Sequence, residues 1–499
     1  QPGSRGWLPA CDGAGGVRAR LAVGHVDLRH RLARRRRAAL RLRLRAGDQG
    51  AARAAAVGNG AGLKERRVVD VHRERVQLVH PSCARVEEPR ASRLEPALRD
   101  TEYMAPRSSA EQPATHALIT HALKPELWLL DPEVVHLNHG SYGAVPTPVL
   151  AAQRRAAEAV ERSPERFYRT ELAAAMDAVR LRVAEWLNTD ADGLALVQNA
   201  TEAAQVVLES VRLEAGAEIV YTDHAYPWVK AAIARACAER GAVARSVPLT
   251  DPHGRTEAEF EEALVADLTA AVNERTALLV LDQITSASAL RLPVEAVCAA
   301  LGSQVPILID GAHAPGLIDS PVPAGAAFWF GNLHKWAFSA RTAAALVVAP
   351  QWRERVQPLV ASAGAWRGYP GSFTYLGTQD ATAYLALPAA LDFPLEHLGM
   401  TFRELRERNV SVLNQGVQRL TAALGTPHQA AARLPMQAVP LGVDGGDVQA
   451  AELGDRLRER GVEVAITSVG GQLYARVSVQ AYVGVAAFER LAEAVDEVG

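Results

Sequence analysis

Lysine is nearly missing from this 499-residue sequence. Only Lys64, Lys124, Lys230 and Lys335 occur, although Lys and Arg together number 54. Cysteine is equally scarce: Cys11, Cys83, Cys237 and Cys298 stand far apart with no CxxC pair. That excludes a disulfide framework and a cysteine zinc site, no metal-ligand set is expected, and a reducing, cytoplasmic compartment is. No apolar run reaches the roughly 18 uninterrupted residues of a membrane span. No GxGxxG follows an apolar run that reads as a strand, which counts against a dinucleotide-binding fold.

The net charge of -2 averages two unlike pieces. Residues 1–103 hold 22 basic and 11 acidic side chains, with an arginine cluster at Arg31, Arg34 to Arg37, Arg41, Arg43 and Arg45. This stretch has no sustained period and almost no aromatics, so it buries too little to offset its ordering entropy. A basic arm gripping nucleic acid is one reading. The reading adopted is upstream sequence translated beyond a start at Met104, the first methionine, with no nucleic-acid partner. Residues 104–499 hold 32 basic and 45 acidic side chains and have the composition of an ordinary globular protein.

After a segment at 104–145 read as an arm, helix and strand alternate. Pro146 opens an Ala-rich helix, and Phe167 to Leu187 reads as another, with Leu172, Met176, Val179, Val183 and Trp186 on one face. Short apolar runs follow at Leu194–Val197, Glu218–Tyr221, Ala277–Leu281, Pro306–Ile309, Ala327–Phe330 and Ala343–Val348. Helical segments such as Trp228–Arg240 and Glu257–Leu268 lie between them. Continuous apolar strands alternating with helices predict an α/β, doubly wound, mostly parallel sheet over 146–380. Beyond it, one long helical stretch over Leu395–Leu424, then strands mixed with two helices, predict a smaller α+β domain over 381–499.

Open α/β sheets bind ligands at the carboxyl ends of their strands, so the residue after each strand matters most. Asn199-Ala200-Thr201 opens a helix whose free N–H groups suit a phosphate, although a plain N-cap looks the same. Asp310-Gly311-Ala312-His313 follows one strand, and Asn332-Leu333-His334-Lys335-Trp336 follows the next. Arginine carries nearly all the positive charge elsewhere, so Lys335 calls for chemistry that arginine lacks. A lysine can lose its proton and attack a carbonyl to form a Schiff base. A phosphate-suited turn, an Asp and this Lys together point to pyridoxal phosphate, with an ionised Asp310 keeping the ring nitrogen protonated.

The motifs Leu137-Asn138-His139-Gly140-Ser141-Tyr142-Gly143, Asn199-Ala200-Thr201, Asp310-Gly311-Ala312-His313-Ala314-Pro315-Gly316 and Gly331-Asn332-Leu333-His334-Lys335-Trp336 occur in this order. The set resembles the class V aminotransferases, in particular the isopenicillin N epimerase-like branch, over about residues 130–495. The resemblance implies a fold-type I enzyme, a homodimer with active sites at the subunit interface, and an amino-acid-like substrate. It implies Lys335 as the Schiff-base lysine, Asp310 as the pyridinium partner and His313 at the phenolic oxygen. Thr201 with Ala200, Asn332 and His334 would serve the phosphate side, and Thr378 the partner's phosphate. Tyr226, in preference to His224, would stack on the ring. Arg476, with Asn138 and His139, would hold the substrate, the guanidinium suiting its α-carboxylate.

Four departures accompany the resemblance. Gln283 stands where His is usual, Ala337 to Thr342 lacks Pro-Lys-Gly, Tyr482-Val483 replaces Tyr-Asn, and Gln379 stands for Arg. Once the Cα proton is removed, reprotonation gives epimerisation or transamination, and loss of a β-substituent gives elimination. The sequence leaves epimerase, aminotransferase and C–S (sulfoxide) lyase open, beside an inactive member of the fold acting as an interaction protein. No cysteine lies in the loop before Arg476, which argues against desulfuration through an enzyme persulfide.

Overall fold

Strands too apolar for a half-exposed sheet end up covered on both faces. In the computed structural model, which describes residues 121–362, 364–427 and 429–498, a seven-stranded sheet forms the larger layer. The segment 1–103 and the first part of the arm lie outside the described residues. Numbering from the arm strand β1 (Val135–His136), the sheet contains β2 (Leu194–Val197), β3 (Glu218–Thr222), β4 (Val243–Val247), β5 (Thr276–Asp282), β6 (Ile307–Asp310), β7 (Phe328–Asn332) and β8 (Ala344–Val348). Their spatial order is β2-β8-β7-β6-β5-β3-β4. β4, β3, β5, β6 and β7 run parallel, and β8 is antiparallel to both its neighbours.

Side-chain alternation splits the core in two. Leu279, Leu281, Ile307, Ile309 and Trp329 pack into one cluster, and Leu278, Val280, Leu308, Phe328 and Phe330 into the other. The same period assigns the strand-end polar residues. Asp282, Asp310 and Asn332 follow the second set, on the face against which the helix Ala200–Ser210 packs.

The smaller layer is an antiparallel sheet of β9 (Met436–Asp444), β12 (Gln472–Ser478) and β11 (Ala465–Val469), in the order β11-β12-β9, with helices Phe402–Leu424, Asp447–Glu459 and Ala486–Val498. The arm joins the two layers. β1 pairs in parallel with β10 (Val462–Glu463), and Leu137 is fully buried in the small-domain core. Trp128 packs against Phe338 and Phe393.

Two elements depart from the sequence reading. The expected helix over Leu395–Leu424 is two pieces, because Gly399 takes a left-handed conformation (φ 68) and Thr401 starts a new helix with a capping box to Glu404. Strand β4, Val243-Ala-Arg-Ser-Val, was not expected; it is a half-exposed edge strand whose Arg245 bonds Glu218 and the Ala271 carbonyl. Its polar pattern carries no apolar run to read.

The small domain depends on one close helix approach. A Cβ at Gly416 would lie 2.2 Å from Cδ2 of Phe488, a ring fully buried between the helices Phe402–Leu424 and Ala486–Val498. Gly416→Ala is therefore expected to destabilise by about 1–3 kcal/mol, and more if the helices cannot separate. An unchanged thermal melting temperature would show that the contact yields freely.

Candidate active site

The carboxyl ends of β5, β6 and β7 bring the site together. Asp310, the last residue of β6, is 4% exposed, and its Oδ1 accepts from the Ala312 N–H at 2.9 Å. Burial raises its pKa to about 6, against the opposing pull of that N–H and of Lys335. Asp282 pairs with it across the β5–β6 register, and burial together with the Asp310 charge pushes Asp282 well above the usual carboxylate range.

Asn332 closes β7 and turns its Oδ1 to the Ala200 N–H at 2.9 Å, while Asn199 caps the Glu202 N–H at 2.9 Å. Together they fix the start of the helix Ala200–Ser210, with Thr201 exposed at its first turn. With the Ala200 and Glu202 N–H groups taken by these side chains, the positive end of the helix at Thr201 is what would attract an anion.

Lys335 lies three residues beyond β7. Burial, reinforced by the charge of Arg476, lowers its pKa from 10.5 to about 7, although Asp310 pulls the other way. Its Nζ stands 3.2 Å from Nε2 of His313, whose Nδ1 accepts from the Trp336 indole at 3.3 Å. Burial, then the charges of Lys335 and Arg476, keep His313 well below the ordinary histidine range. His334 bonds the Ala343 carbonyl at 2.8 Å, and burial lowers it to about 4.

The arm holds this loop from behind. His139 Nε2 donates to the Lys335 carbonyl at 3.0 Å, which leaves Nδ1 to accept from the Tyr482 hydroxyl at 2.9 Å. Burial drops His139 to about 3, so it is a neutral strut. Gly143 (φ 67) lies so close that a Cβ there would stand 2.4 Å from the His334 carbonyl oxygen and 2.9 Å from that of Lys335. Arg341 donates to the carbonyls of Tyr142 and Gly143.

Arg476, on β12, reaches the same cleft and is 4% exposed. One terminal nitrogen donates to the Ser286 carbonyl at 2.8 Å, the other to Asn138 Oδ1 at 2.9 Å and Ser141 Oγ at 2.7 Å. Its Nε is buried without a partner among the described residues, and burial lowers the guanidinium to about 10. Tyr226 is half-buried; burial raises its phenol, which also feels the charges of Asp310 and Arg476. His224 instead bonds Ser288 at 2.8 Å.

The sequence-predicted residues Lys335, Asp310, His313, Arg476 and Tyr226 thus share one cleft, with Asn332 and Ala200 bonded at the helix mouth. Asn138 faces Arg476, and His139 lies under the lysine backbone. Thr378 is exposed in its loop. Gln283 points to the opposite face of the sheet from Asp282, where it accepts from Trp329 Nε1 at 3.0 Å and donates to the Pro321 carbonyl at 2.8 Å. Ser141, Ser286, Trp336 and Tyr482 contribute contacts that sequence reasoning did not assign; the only signal for them was membership of segments already conspicuous.

The family model described as Aminotransferase class-V matches residues 145–485. The chain belongs to that family. Isopenicillin N epimerase of Streptomyces clavuligerus is 31% identical over 403 residues, covering 74% of this chain and 96% of the relative. L-cysteine desulfhydrase of Arabidopsis thaliana is 28% identical over 402 residues, covering 73% and 88%. Among solved structures, the cystine C–S lyase C-DES in complex with cysteine persulfide superposes with a TM-score of 0.61 at 18% identity, covering 73% of this chain and 97% of that one. The fold is therefore the fold-type I architecture, the protein is an enzyme, and the family's cofactor is pyridoxal phosphate.

The residues fit that cofactor. Lys335 would offer a half-buried amine whose pKa lies near neutrality, Asp310 a buried carboxylate for the ring nitrogen, His313 a neutral imidazole for the phenolic oxygen, and the helix start at Thr201 a place for the phosphate.

A buried lysine held near pKa 7 binds fewer protons in the folded than in the unfolded chain between pH 7 and 10.5. Stability then rises with pH across that window, and the cost of burying the amine is felt in full below it. In the cofactor-free chain, Lys335→Met should melt higher than the wild type at pH 7, and the gap should narrow towards pH 10. A gap independent of pH, measured by thermal melts in matched buffers, would remove the burial argument.

Proposed function

We propose that the protein acts at the Cα of an amino-acid substrate through a Schiff base at Lys335, and that its reaction is β-elimination of a sulfur substituent. Lys335 carries the proposal: its amine stands 3.2 Å from His313 with Asp310 and Arg476 acting on it, and a pKa of about 7 lets it both take and return a proton at neutral pH. Bound pyridoxal phosphate supplies the carbonyl for that amine and a ring that stabilises negative charge at Cα. Released from the Schiff base when the substrate amine takes its place, Lys335 would accept the Cα proton, the Cβ–S bond would break with its electron pair leaving on sulfur, and the ammonium would return a proton to the departing thiolate. Water completes the balance: cysteine and water give sulfide, ammonia and a 2-oxo acid.

Relatives named L-cysteine desulfhydrase support this reading, as does a loop before Arg476 without a cysteine, since direct elimination needs no persulfide carrier. Epimerisation is the second reading, favoured by the likeness to isopenicillin N epimerase and by the Tyr226 phenol as a proton donor separate from Lys335. The working unit of the proposal is a cytoplasmic homodimer, with Thr378 of each chain serving the other's site.

The deciding experiment incubates the purified holoenzyme with L-cysteine, S-substituted cysteines, alanine and longer amino acids, and assays sulfide, 2-oxo acid and enantiomer ratio separately. Sulfide and 2-oxo acid in equal amounts from L-cysteine are expected. Racemisation in D2O without sulfide release would move the assignment to the epimerase reading. Lys335→Ala should abolish borohydride trapping of the cofactor on the chain.

Two further variants separate the roles of the cleft residues. Asp310→Asn should retain cofactor yet lose two or more decades of turnover, since a buried charge of this kind is worth several kcal/mol. Arg476→Lys keeps the charge but not the planar fork; it should raise KM for amino acids at least about tenfold and leave the bound-cofactor spectrum unchanged. A decarboxylated analogue should be indifferent to that change. Equal losses on both compounds would show that Arg476 serves the fold.

A further inference from the structure

We propose that Trp336 is a positioning residue: its indole fixes the tautomer of His313, so that the imidazole presents an N–H, and not a lone pair, to Lys335 and the cofactor side of the cleft. The inference rests on the reading of Lys335 as the reactive amine. Three observations carry it. An indole nitrogen only donates, so the 3.3 Å contact from Trp336 Nε1 places a lone pair on His313 Nδ1. In a neutral ring the proton is then on Nε2, which stands 3.2 Å from Lys335 Nζ.

The indole is also held in place. Trp336 is 2% exposed, its ring centroid lies 5.0 Å from that of His139, and a Cβ on Gly140 would come within 3.4 Å of its Cζ2. It cannot swing away without opening the arm.

The consequence falls on the lysine. An Nε2–H can be accepted by the lone pair of an uncharged amine, but it opposes an ammonium, where two donors would face each other. The lock therefore favours the nucleophilic, base-competent form of Lys335. It also leaves a donor in place for the phenolic oxygen that the cofactor brings. The charged groups acting on the amine are Asp310 on β6 and Arg476 on β12, with Tyr226 interacting with both of these, His334 beside it on its own loop and His139 on the arm under its carbonyl. Replacing the indole leaves all of them in place, so a change in the lysine's titration reports the His313 tautomer.

The test uses Trp336→Phe in the full-length chain, which keeps the ring and removes the donor. In cofactor-free protein, the pH midpoint for acylation of Lys335 is read by peptide mass spectrometry, with exposed Lys124 as internal reference. The midpoint should rise by about one pH unit in the variant, because the freed imidazole can turn a lone pair to the ammonium. An unchanged midpoint in a variant that melts like the wild type would overturn the proposal. Independently, 15N NMR of ring-labelled histidine in the wild type should show His313 protonated at Nε2; a proton on Nδ1 would overturn it even if the variant failed to fold. Trapping of pyridoxal phosphate by borohydride on a lysine other than Lys335 would sink the underlying reading, and this inference with it.

Discussion

A primary amine half-enclosed just past the end of a parallel strand is the constraint around which the rest of this structure is arranged. Burial disfavours the ammonium form, and the cationic Arg476 disfavours it further, while Asp310 restores part of the charge preference. The balance leaves Lys335 near neutrality, poised between nucleophile and acid. Each group nearby is held so as not to disturb that balance: His313, His334 and His139 are all kept neutral by burial.

Holding an amine in such a place requires the backbone beneath it to be immobile, and that is the work of the arm. His139 bonds the lysine's carbonyl, Gly143 lies against its backbone with no room for a side chain, and Arg341 bonds the arm's carbonyls in return. The arm is fastened at its other end to the small domain through β1 and the buried Leu137. Arg476 belongs to that same small domain, so one strap of chain links its guanidinium to the backbone of Lys335. Within that strap Asn138 meets Arg476 and His139 meets the lysine's carbonyl.

Much of the cleft was legible because strand periodicity is local. Asp310 and Asn332 share the parity of Leu308 and Phe330, which fixes their face, and the scarcity of lysine singled out Lys335. What stayed hidden depends on contacts between distant segments. The bonds from Arg476 to Ser286 and Ser141 span 190 and 335 residues, and no local pattern announces them. Gln283 shows the other limit. It stands where His is usual in the resembling family, and strand alternation sends it to the face opposite Asp282, where it accepts from Trp329. The break at Gly399 was missed because the apolar period continues across it, although the glycine and the Thr401 capping box are both written in the chain.

The pair of buried carboxyls gives the last step. Two adjacent carboxyls in a dry site do not both ionise readily, and burial raises Asp282 and Asp310 alike. Asp282 kept protonated is the condition for Asp310 to carry the charge, since a second anion beside it would raise its proton affinity. The cleft then presents one carboxylate at Asp310, one guanidinium at Arg476 and a near-neutral amine between them. A ligand that brings a cationic ring nitrogen to the first, an anionic carboxylate to the second and an electrophilic carbon to the third meets each with the opposite character. Pyridoxal phosphate and an α-amino acid together have those three features, which is the charge complementarity on which the proposed function rests.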